Sequence, residues 1–79
     1  MRLEILGPGC KRCQLLAENT QAAVAELGLD AEVVKVTDMQ AILAYGVMAT
    51  PALVVDGQVR LAGHIATPHQ IRALLEAAP

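Results

Sequence analysis

The residues of this sequence best suited to chemistry are Cys10 and Cys13, its only two cysteines. Thiol–disulfide exchange needs a thiolate that attacks a disulfide and a second thiol close enough to displace the bound product. Cysteines three positions apart at the start of a helix meet both needs, because they lie about one turn apart. The first cysteine then stands at the helix entrance, where unpaired backbone N–H groups and the helix dipole favour its thiolate.

Two cations, Lys11 and Arg12, separate the cysteines and bear on the reactivity of Cys10. Nearby positive charge lowers the pKa of a thiol, so one interpretation is that both side chains increase the thiolate fraction of Cys10. Favouring the thiolate also favours the reduced pair, which would make the disulfide more oxidising. The alternative is that Lys11 and Arg12 are ordinary solvated charges of a first helical turn.

The elements that position the cysteines follow from hydrophobic periodicity and from turn residues. Thr37 and Thr67 each precede a glutamine by three residues, a capping-box pattern that marks the start of a helix. Gly28 and Gly46 are predicted to end helices, and Asp56-Gly57 indicates a hairpin. The prediction is therefore strands over residues 2–6, 31–36, 52–55 and 58–62, and helices over about 11–27, 38–45 and 68–78.

Apolar stripes indicate which face of each long helix is buried. In the first helix the stripe turns Cys13 inward while Cys10 stays at the entrance, as exchange chemistry requires. In the last helix Pro68 occupies the first helical position after Thr67. The two stripes are Cys13, Leu16, Thr20, Val24 and Leu27 in the first helix and Ile71, Leu74, Leu75 and Ala78 in the last.

The predicted element order is β-α-β-α-β-β-α. A helix joins the first two strands, so they are expected to be parallel with a right-handed crossover, while the hairpin adds an antiparallel pair. This order bears on the main alternative, a soft-metal carrier or sensor that binds copper or zinc through the same two thiolates. Domains of that metal-binding type place a hairpin after the first helix and end on a strand. This chain ends on a helix, which favours the redox interpretation.

A second motif, Thr50-Pro51-Ala52, introduces an apolar strand. Proline is confined to the start or edge of a strand, so an ordinary strand-start proline is one interpretation. Together with the upstream cysteine pair, the motif resembles the thioredoxin superfamily, most closely its small redox-active disulfide proteins. The resemblance is carried by residues 7–13 (GPGCKRC), 45–57 (YGVMATPALVVDG) and 61–63 (LAG).

This resemblance implies a thioredoxin-like α/β fold with three layers, α/β/α, in which helices cover both faces of a four-stranded mixed sheet. It implies Cys10 as the nucleophile, Cys13 as the resolving thiol and Pro51 as a cis-proline. In that family the cis-proline loop packs beside the cysteines and offers backbone groups to the substrate. The other residues expected to bind substrate or shape the site are Thr50, Gly9, Lys11 and Arg12.

Three departures limit what the resemblance implies. The Trp-Cys-Gly-Pro-Cys site of standard thioredoxins is absent, and so is their N-terminal strand–helix extension. The diglycine motif with which glutaredoxins hold glutathione is missing after the hairpin. Neither a general thioredoxin role nor glutathione dependence therefore follows. The expected partners are protein or small-molecule disulfides and an upstream thiol reductase, with no bound cofactor.

Glu4 lies six residues before Cys10, in what is predicted to be a central strand. Thioredoxins carry a buried acid at a similar offset that is thought to accept the proton of the resolving thiol. A buried carboxyl group with a raised pKa would suit that relay. The alternative is that Glu4 faces solvent or pairs with Arg2 or Arg60.

Length and composition exclude several other classes of protein. The 79 residues are expected to form one domain, residues 1–79, and 54% of them are hydrophobic. The net charge is −2 with no basic stripe, so nucleic-acid binding is not expected. No apolar run approaches the roughly 20 residues of a membrane helix, and no signal-peptide core is present. The sequence predicts a cytoplasmic monomer without membrane insertion, and no metal site is predicted at His64 and His69, whose spacing is not a ligand pattern.

Overall fold

In the computed structural model, which describes residues 1–77, the chain forms three helices and four strands in the predicted order. Their bounds agree with the prediction to within one residue. The predicted contribution of Ala78 to the last stripe lies outside the described residues. The elements are β1 (Arg2–Leu6), α1 (Lys11–Leu27), β2 (Glu32–Val36), α2 (Met39–Ala44), β3 (Ala52–Val55), β4 (Gln58–Ala62) and α3 (Pro68–Ala77).

The four strands form one mixed sheet in the order β2-β1-β3-β4. β1 pairs in parallel with β2, and β3 runs antiparallel to both β1 and β4. The β3–β4 hairpin has a register shift between Leu53 and Val54. Consequently β1, β2 and β4 end, and β3 begins, at the same end of the sheet. We call it the site end, because α1 and its cysteines start there, and we call the opposite end the far end.

Side-chain alternation along β1 divides the core between the two faces of the sheet. Leu3 and Ile5 join the larger apolar cluster with α1 and α3, whereas Leu6 joins Ile42 of α2 in the smaller one. The predicted α/β fold with a four-stranded mixed sheet is therefore confirmed, with helices packed on both faces. The larger cluster contains Leu3, Ile5, Leu16, Ala17, Ala23, Leu53, Val55, Ala66, Ile71 and Leu75, and the smaller one contains Leu6, Ile42, Ala52 and Val54.

The buried face of α1 largely follows the predicted stripe. Cys13, Leu16 and Thr20 are buried, and the hydroxyl group of Thr20 donates to the carbonyl oxygen of Leu16 at 2.7 Å. That hydrogen bond explains how a polar side chain can lie in the core. Val24 and Leu27, in the last turns of α1, are only partly buried and pack against the edge of the larger apolar cluster.

The helix caps agree with the prediction in one case and contradict it in another. At α3 the predicted capping box is present: Gln70 N donates to Thr67 Oγ1 at 3.1 Å, and Thr67 N donates to Gln70 Oε1 at 3.0 Å. At α2 the predicted cap, Thr37, is wrong. Asp38 caps that helix, and its carboxylate accepts from the backbone N–H of Ala41 at 3.3 Å. Aspartate caps as well as threonine does, and Asp38 stands one residue nearer the helix.

Candidate active site

Cys10 occupies the N-cap of α1. Its backbone is extended (φ −72°, ψ 169°), and its Sγ accepts a hydrogen bond from the backbone N–H of Cys13 at 3.3 Å. The thiol thus takes the place that a serine or aspartate oxygen takes at an ordinary helix start. The preceding Gly9 has a φ of 91°, which turns the chain into the helix and leaves Cys10 exposed.

The pKa of Cys10 is lowered, chiefly by the hydrogen bond with the side chain of Cys13 and next by the backbone N–H of Cys13. The backbone N–H of Arg12 contributes in the same direction. The side-chain charges of Lys11 and Arg12, which one interpretation of the sequence made responsible for a lowered pKa, are not among its leading causes. The physical reason is that hydrogen bonds reach the sulfur directly, while both cationic side chains are exposed to water.

Cys13 is the buried member of the pair. Its residue is only 5% exposed, and burial followed by the interaction with Cys10 raises its pKa. The two Sγ atoms lie 2.6 Å apart, so the pair stands within reach of an intramolecular disulfide. The two thiols therefore differ in the way that exchange chemistry requires, because one favours the thiolate and the other favours the protonated form.

Gly7 is a site residue that the sequence analysis included in the segment 7–13 without assigning it a role. A Cβ atom at this position would collide with Cys13 Sγ and would lie 3.9 Å from Thr50 Cβ. Gly7 therefore allows the thiol of Cys13 to pack directly against the end of β1. The signal in the sequence was a glycine immediately after an apolar strand, but its partner across the fold was not visible there.

The segment that leads into β3, residues 46–51, also lies at the site end. The Thr50–Pro51 peptide bond is cis, Pro51 is buried, and its carbonyl oxygen accepts from the backbone N–H of Gly63 at 2.8 Å. Thr50 is half-buried beside Gly7. Earlier in the segment, Met48 is 98% exposed. The structure thus brings Thr50 and Pro51 to the end of the sheet that carries the cysteines.

A small cavity of about 70 Å³ lies behind Cys13. Lys35 and Thr37, at the end of β2 and just beyond it, help to line this cavity. Neither residue was assigned to the site from the sequence, because their approach to the cysteines depends on the parallel pairing of β1 with β2. The cavity has room for about two water molecules, and its lining is Ile5, Gly7, Gly9, Cys13, Gln14, Lys35 and Thr37.

Glu4 is buried but does not meet the condition set for a proton relay. Its carboxylate accepts from Tyr45 Oη at 2.5 Å and from Arg2 Nε at 2.9 Å. The hydrogen bond from Tyr45, followed by that from Arg2, lowers the pKa of Glu4, whereas the relay interpretation needs a raised pKa. Glu4 also follows Leu6 in pointing toward the α2 face, away from the face that packs against α1. The alternative pairing with Arg2 is the arrangement found.

Comparisons with known proteins agree with this site. A protein-family model described as a thioredoxin domain matches residues 1–76. A thioredoxin from Methanothermobacter thermautotrophicus is 43% identical over 75 residues, which cover 95% of this chain and 97% of the relative. A thioredoxin from Methanocaldococcus jannaschii is 39% identical over 74 residues, covering 94% and 85%. The chain therefore belongs to the thioredoxin-domain family.

Family membership and the close cysteine pair support a thiol–disulfide oxidoreductase at the family level, with disulfide substrates and a reductase partner in general. The metal-carrier alternative is not supported, since both relatives are thioredoxins. Within residues 1–77, no cluster of three or more His, Cys, Asp or Glu side chains is arranged to hold a metal ion. None of the helices in the described part of the chain has the length and apolar character needed to cross a membrane.

Proposed function

We propose that this protein exchanges dithiols and disulfides reversibly, with Cys10 as the attacking group and Cys13 as the resolving group. The observation that carries the proposal is the asymmetry of the pair. Cys10 is exposed with a lowered pKa, and Cys13, with its Sγ only 2.6 Å away, is buried with a raised pKa. An exposed thiolate is the nucleophile of exchange, and a protonated thiol beside it stays in reserve until a mixed disulfide forms.

The reaction proceeds in two substitutions at sulfur. The Cys10 thiolate attacks one sulfur of the substrate disulfide, whose S–S bond breaks, and the leaving sulfur takes the bonding electron pair and then a proton from water. Cys13 next loses its proton and attacks Cys10 Sγ, which releases the second half of the substrate as a thiol. The substrate has gained two electrons, and the protein retains a Cys10–Cys13 disulfide that a thiol reductase returns to the dithiol.

Thr50 and Pro51 are proposed to receive the substrate chain beside the cysteines. This assignment is supported by the position of Thr50 next to Gly7, while the buried Pro51 holds the backbone of Thr50 at that place. Gly9 is proposed to shape the approach of the chain to Cys10. Glu4 is left out of the proton path, because its carboxylate is held by Tyr45 and Arg2.

We propose protein and small-molecule disulfides as the substrates, reduced in a cycle like that of thioredoxins or glutaredoxins. The protein is proposed to act as a monomer and without a bound cofactor. The proposal also includes a cytoplasmic location, where a thiol reductase can return the protein to its dithiol form. These points are supported by membership of the thioredoxin-domain family and by the site, in which both sulfur atoms needed for the cycle come from one chain.

The test is a redox titration of metal-free protein in glutathione buffers, followed by alkylation and mass spectrometry. A two-electron transition between about −120 and −270 mV, the span of known CxxC oxidoreductases, is the expected result. Cys10→Ser should abolish disulfide reduction, whereas Cys13→Ser should accumulate a mixed disulfide with the substrate. Unchanged reduction rates in Cys10→Ser, or failure to form the intramolecular disulfide, would refute the proposal.

A further inference from the structure

Three of the six cationic side chains lie around the cysteine pair, at the site end of the sheet. Lys11 and Arg12 are exposed in the first turn of α1, directly after Cys10. Lys35 is exposed at the end of β2 and lines the same cavity as Cys13. Among residues 1–77, none of these three side chains takes part in an ion pair.

Two of the remaining cations are neutralised by carboxylates away from the site. Arg72 contacts Glu26, which lies sixteen residues after Cys10 on α1, or about 24 Å of helix. The carboxylates nearest to the cysteines along the chain are Glu4, six residues before Cys10, and Glu18, five residues after Cys13. The carboxylate of Glu4 is held by Tyr45 and Arg2, and Glu18 lines a surface pocket on the Lys35 side of α1. The ion pairs of the described residues join Arg2 to Glu4 and Glu32, and Arg72 to Glu26 and Glu76.

The surroundings of Cys10 are therefore charged on one side only. The first turn of α1 provides cations, while residues 46–50 (GVMAT), at the same end of the sheet, carry no charge at all. A substrate sulfur that contacts Cys10 Sγ brings the groups next to it to the neighbourhood of Lys11 and Arg12. At physiological ionic strength, charges are screened over about 8 Å, so charges on those neighbouring groups still interact with the two cations.

We propose that the preferred substrates of this site are anionic disulfides, in which carboxylates flank the S–S bond. The proposal rests on the exchange function proposed above and adds the chemical class of its substrate. Carboxylates beside the disulfide are attracted by Lys11, Arg12 and Lys35, and cationic groups there are repelled by the same side chains. Because the protein as a whole has a net charge of −2, this preference comes from the placement of charge and not from its total.

The experiment measures single-turnover reduction of three small disulfides by the fully reduced protein, so that no other reductant is needed. Oxidised glutathione is anionic, cystamine is cationic and hydroxyethyl disulfide is uncharged. Samples are quenched with acid, alkylated and analysed by mass spectrometry. At low salt the protein should reduce oxidised glutathione about tenfold faster than cystamine, at the low end of electrostatic steering effects. The ratio should approach its value for a free thiol as salt is added.

The variants separate attraction of the substrate from reactivity of the thiol. The double variant Lys11→Gln/Arg12→Gln should lose most of the preference, and Arg72→Gln removes the same kind of charge at a distance from the cysteines and should keep it. For each variant, the rate with oxidised glutathione is divided by the rate with cystamine. Dividing this ratio by that of the wild type cancels the intrinsic reactivity of the two disulfides. The rate with hydroxyethyl disulfide corrects for any change at Cys10 itself.

A second pair of substrates distinguishes the source of the anionic disulfide. Two peptides with the same internal disulfide carry either glutamates or lysines beside the cysteines. A larger discrimination between these peptides than between the small disulfides would assign the preference to acidic segments of proteins. A discrimination no larger than that between the small disulfides would assign it to low-molecular-weight anionic disulfides. Either result requires the preference to depend on Lys11 and Arg12.

The outcomes keep the two proposals apart. If hydroxyethyl disulfide is reduced normally but the charged disulfides show no salt-dependent difference, the substrate preference is wrong and the exchange function stands. The preference is also wrong if Lys11→Gln/Arg12→Gln and Arg72→Gln change it equally. If the wild type reduces none of the disulfides faster than Cys10→Ser does, the exchange function itself fails.

Discussion

The two ends of the sheet differ in how their polar groups are paired. From the far end, Arg2 binds the carboxylate of Glu32 and that of Glu4 in the middle of β1, and Tyr45 adds a second hydrogen bond to Glu4. At the site end, the sulfur of Cys10 is exposed and no ion pair within the described residues involves Lys11.

The contrast teaches where this small protein gains stability and where it keeps reactivity. Paired and buried polar groups stabilise a fold, because an unpaired one loses its hydration without compensation. Exposed polar groups at the site end lose little hydration, and they remain available to a substrate. The predictions below test this division, beginning with the largest effect.

The largest effect is expected from Gly7→Val, which fills the close approach between the end of β1 and Cys13. The added side chain must displace Cys13 Sγ, so intramolecular resolution of the mixed disulfide should slow by about a hundredfold or more, as expected when a reacting group is misplaced by about 1 Å. Overpacking should also cost about 1–3 kcal/mol of stability. Quenched-flow kinetics and urea unfolding measure the two effects.

The control for this variant is Ala22→Val on the exposed face of α1, which adds bulk away from the buried stripe. It should leave resolution unchanged. If Gly7→Val resolves mixed disulfides at the wild-type rate, the close packing of Cys13 against β1 is not needed for the reaction.

The next effect concerns the ionisation of Cys10. Because its pKa is lowered, its thiolate fraction should rise with pH at lower values than for a free thiol, whose pKa is about 8.5. The pH dependence of alkylation by iodoacetamide measures this midpoint. Cys13→Ala should move it upward, since the largest cause of the lowering is the hydrogen bond with Cys13.

The comparison variant for this titration is Lys11→Gln/Arg12→Gln, which should move the midpoint much less than Cys13→Ala does. A larger shift in the double variant would contradict the assignment of the low pKa to hydrogen bonds. It would instead support the interpretation that the charges of Lys11 and Arg12 lower the pKa of Cys10.

A smaller effect is expected from Glu4→Gln, which removes the carboxylate that Arg2 and Tyr45 bind. The pKa of Glu4 is lowered in the folded protein, so its contribution to stability is present above the unfolded value of about 4.3 and is lost as the pH falls through the folded pKa. Replacing the carboxylate should cost about 1–2 kcal/mol at neutral pH. It should also flatten the loss of stability in acid.

Urea unfolding at several pH values measures both parts of this prediction, with the exposed Glu18→Gln as the control. Glu4→Gln should leave the rate of disulfide reduction near the wild-type value. A large decrease in the rate of resolution, with a changed pH profile, would instead support the proton relay that the geometry disfavours.

The smallest effect is expected from Arg72→Gln, which removes the exposed ion pairs with Glu26 and Glu76. Water solvates the separated charges of an exposed ion pair almost as well as the pair stabilises them, so the loss of these pairs should cost little stability. The urea midpoint should stay close to that of the wild type, and the rate of disulfide reduction should not change. A clear loss of activity would show that the two ends of the molecule are coupled.

Much of the fold could be predicted because its signals are local. The strand and helix bounds differ from the prediction by at most one residue, and the capping box of Thr67 is present. The error at Thr37 is of the same local kind, since two good capping residues stand side by side and Asp38 takes the position. Such a choice depends on small differences in backbone geometry that composition does not specify.

The candidate site could be predicted only in part. The cysteine spacing placed Cys10 at a helix start and turned Cys13 inward, because both follow from the period of the helix. The backbone N–H groups that lower the pKa of Cys10 were expected at a helix start, but its largest cause, the hydrogen bond with the side chain of Cys13, was not foreseen. The roles of Lys35 and Gly7 were missed, because each acts on a residue brought near by strand pairing.

By itself, the sequence determined the element order, the cysteine pair at a helix start and the cations next to that pair, because each follows from residues within a few positions of one another. Only the tertiary structure decided that Gly7 admits Cys13, that Lys35 joins the site and that Glu4 is held by Tyr45. These contacts join residues far apart in the chain, and they exist because the pairing of β1 with β2 and the packing of α2 set distances that no local pattern encodes.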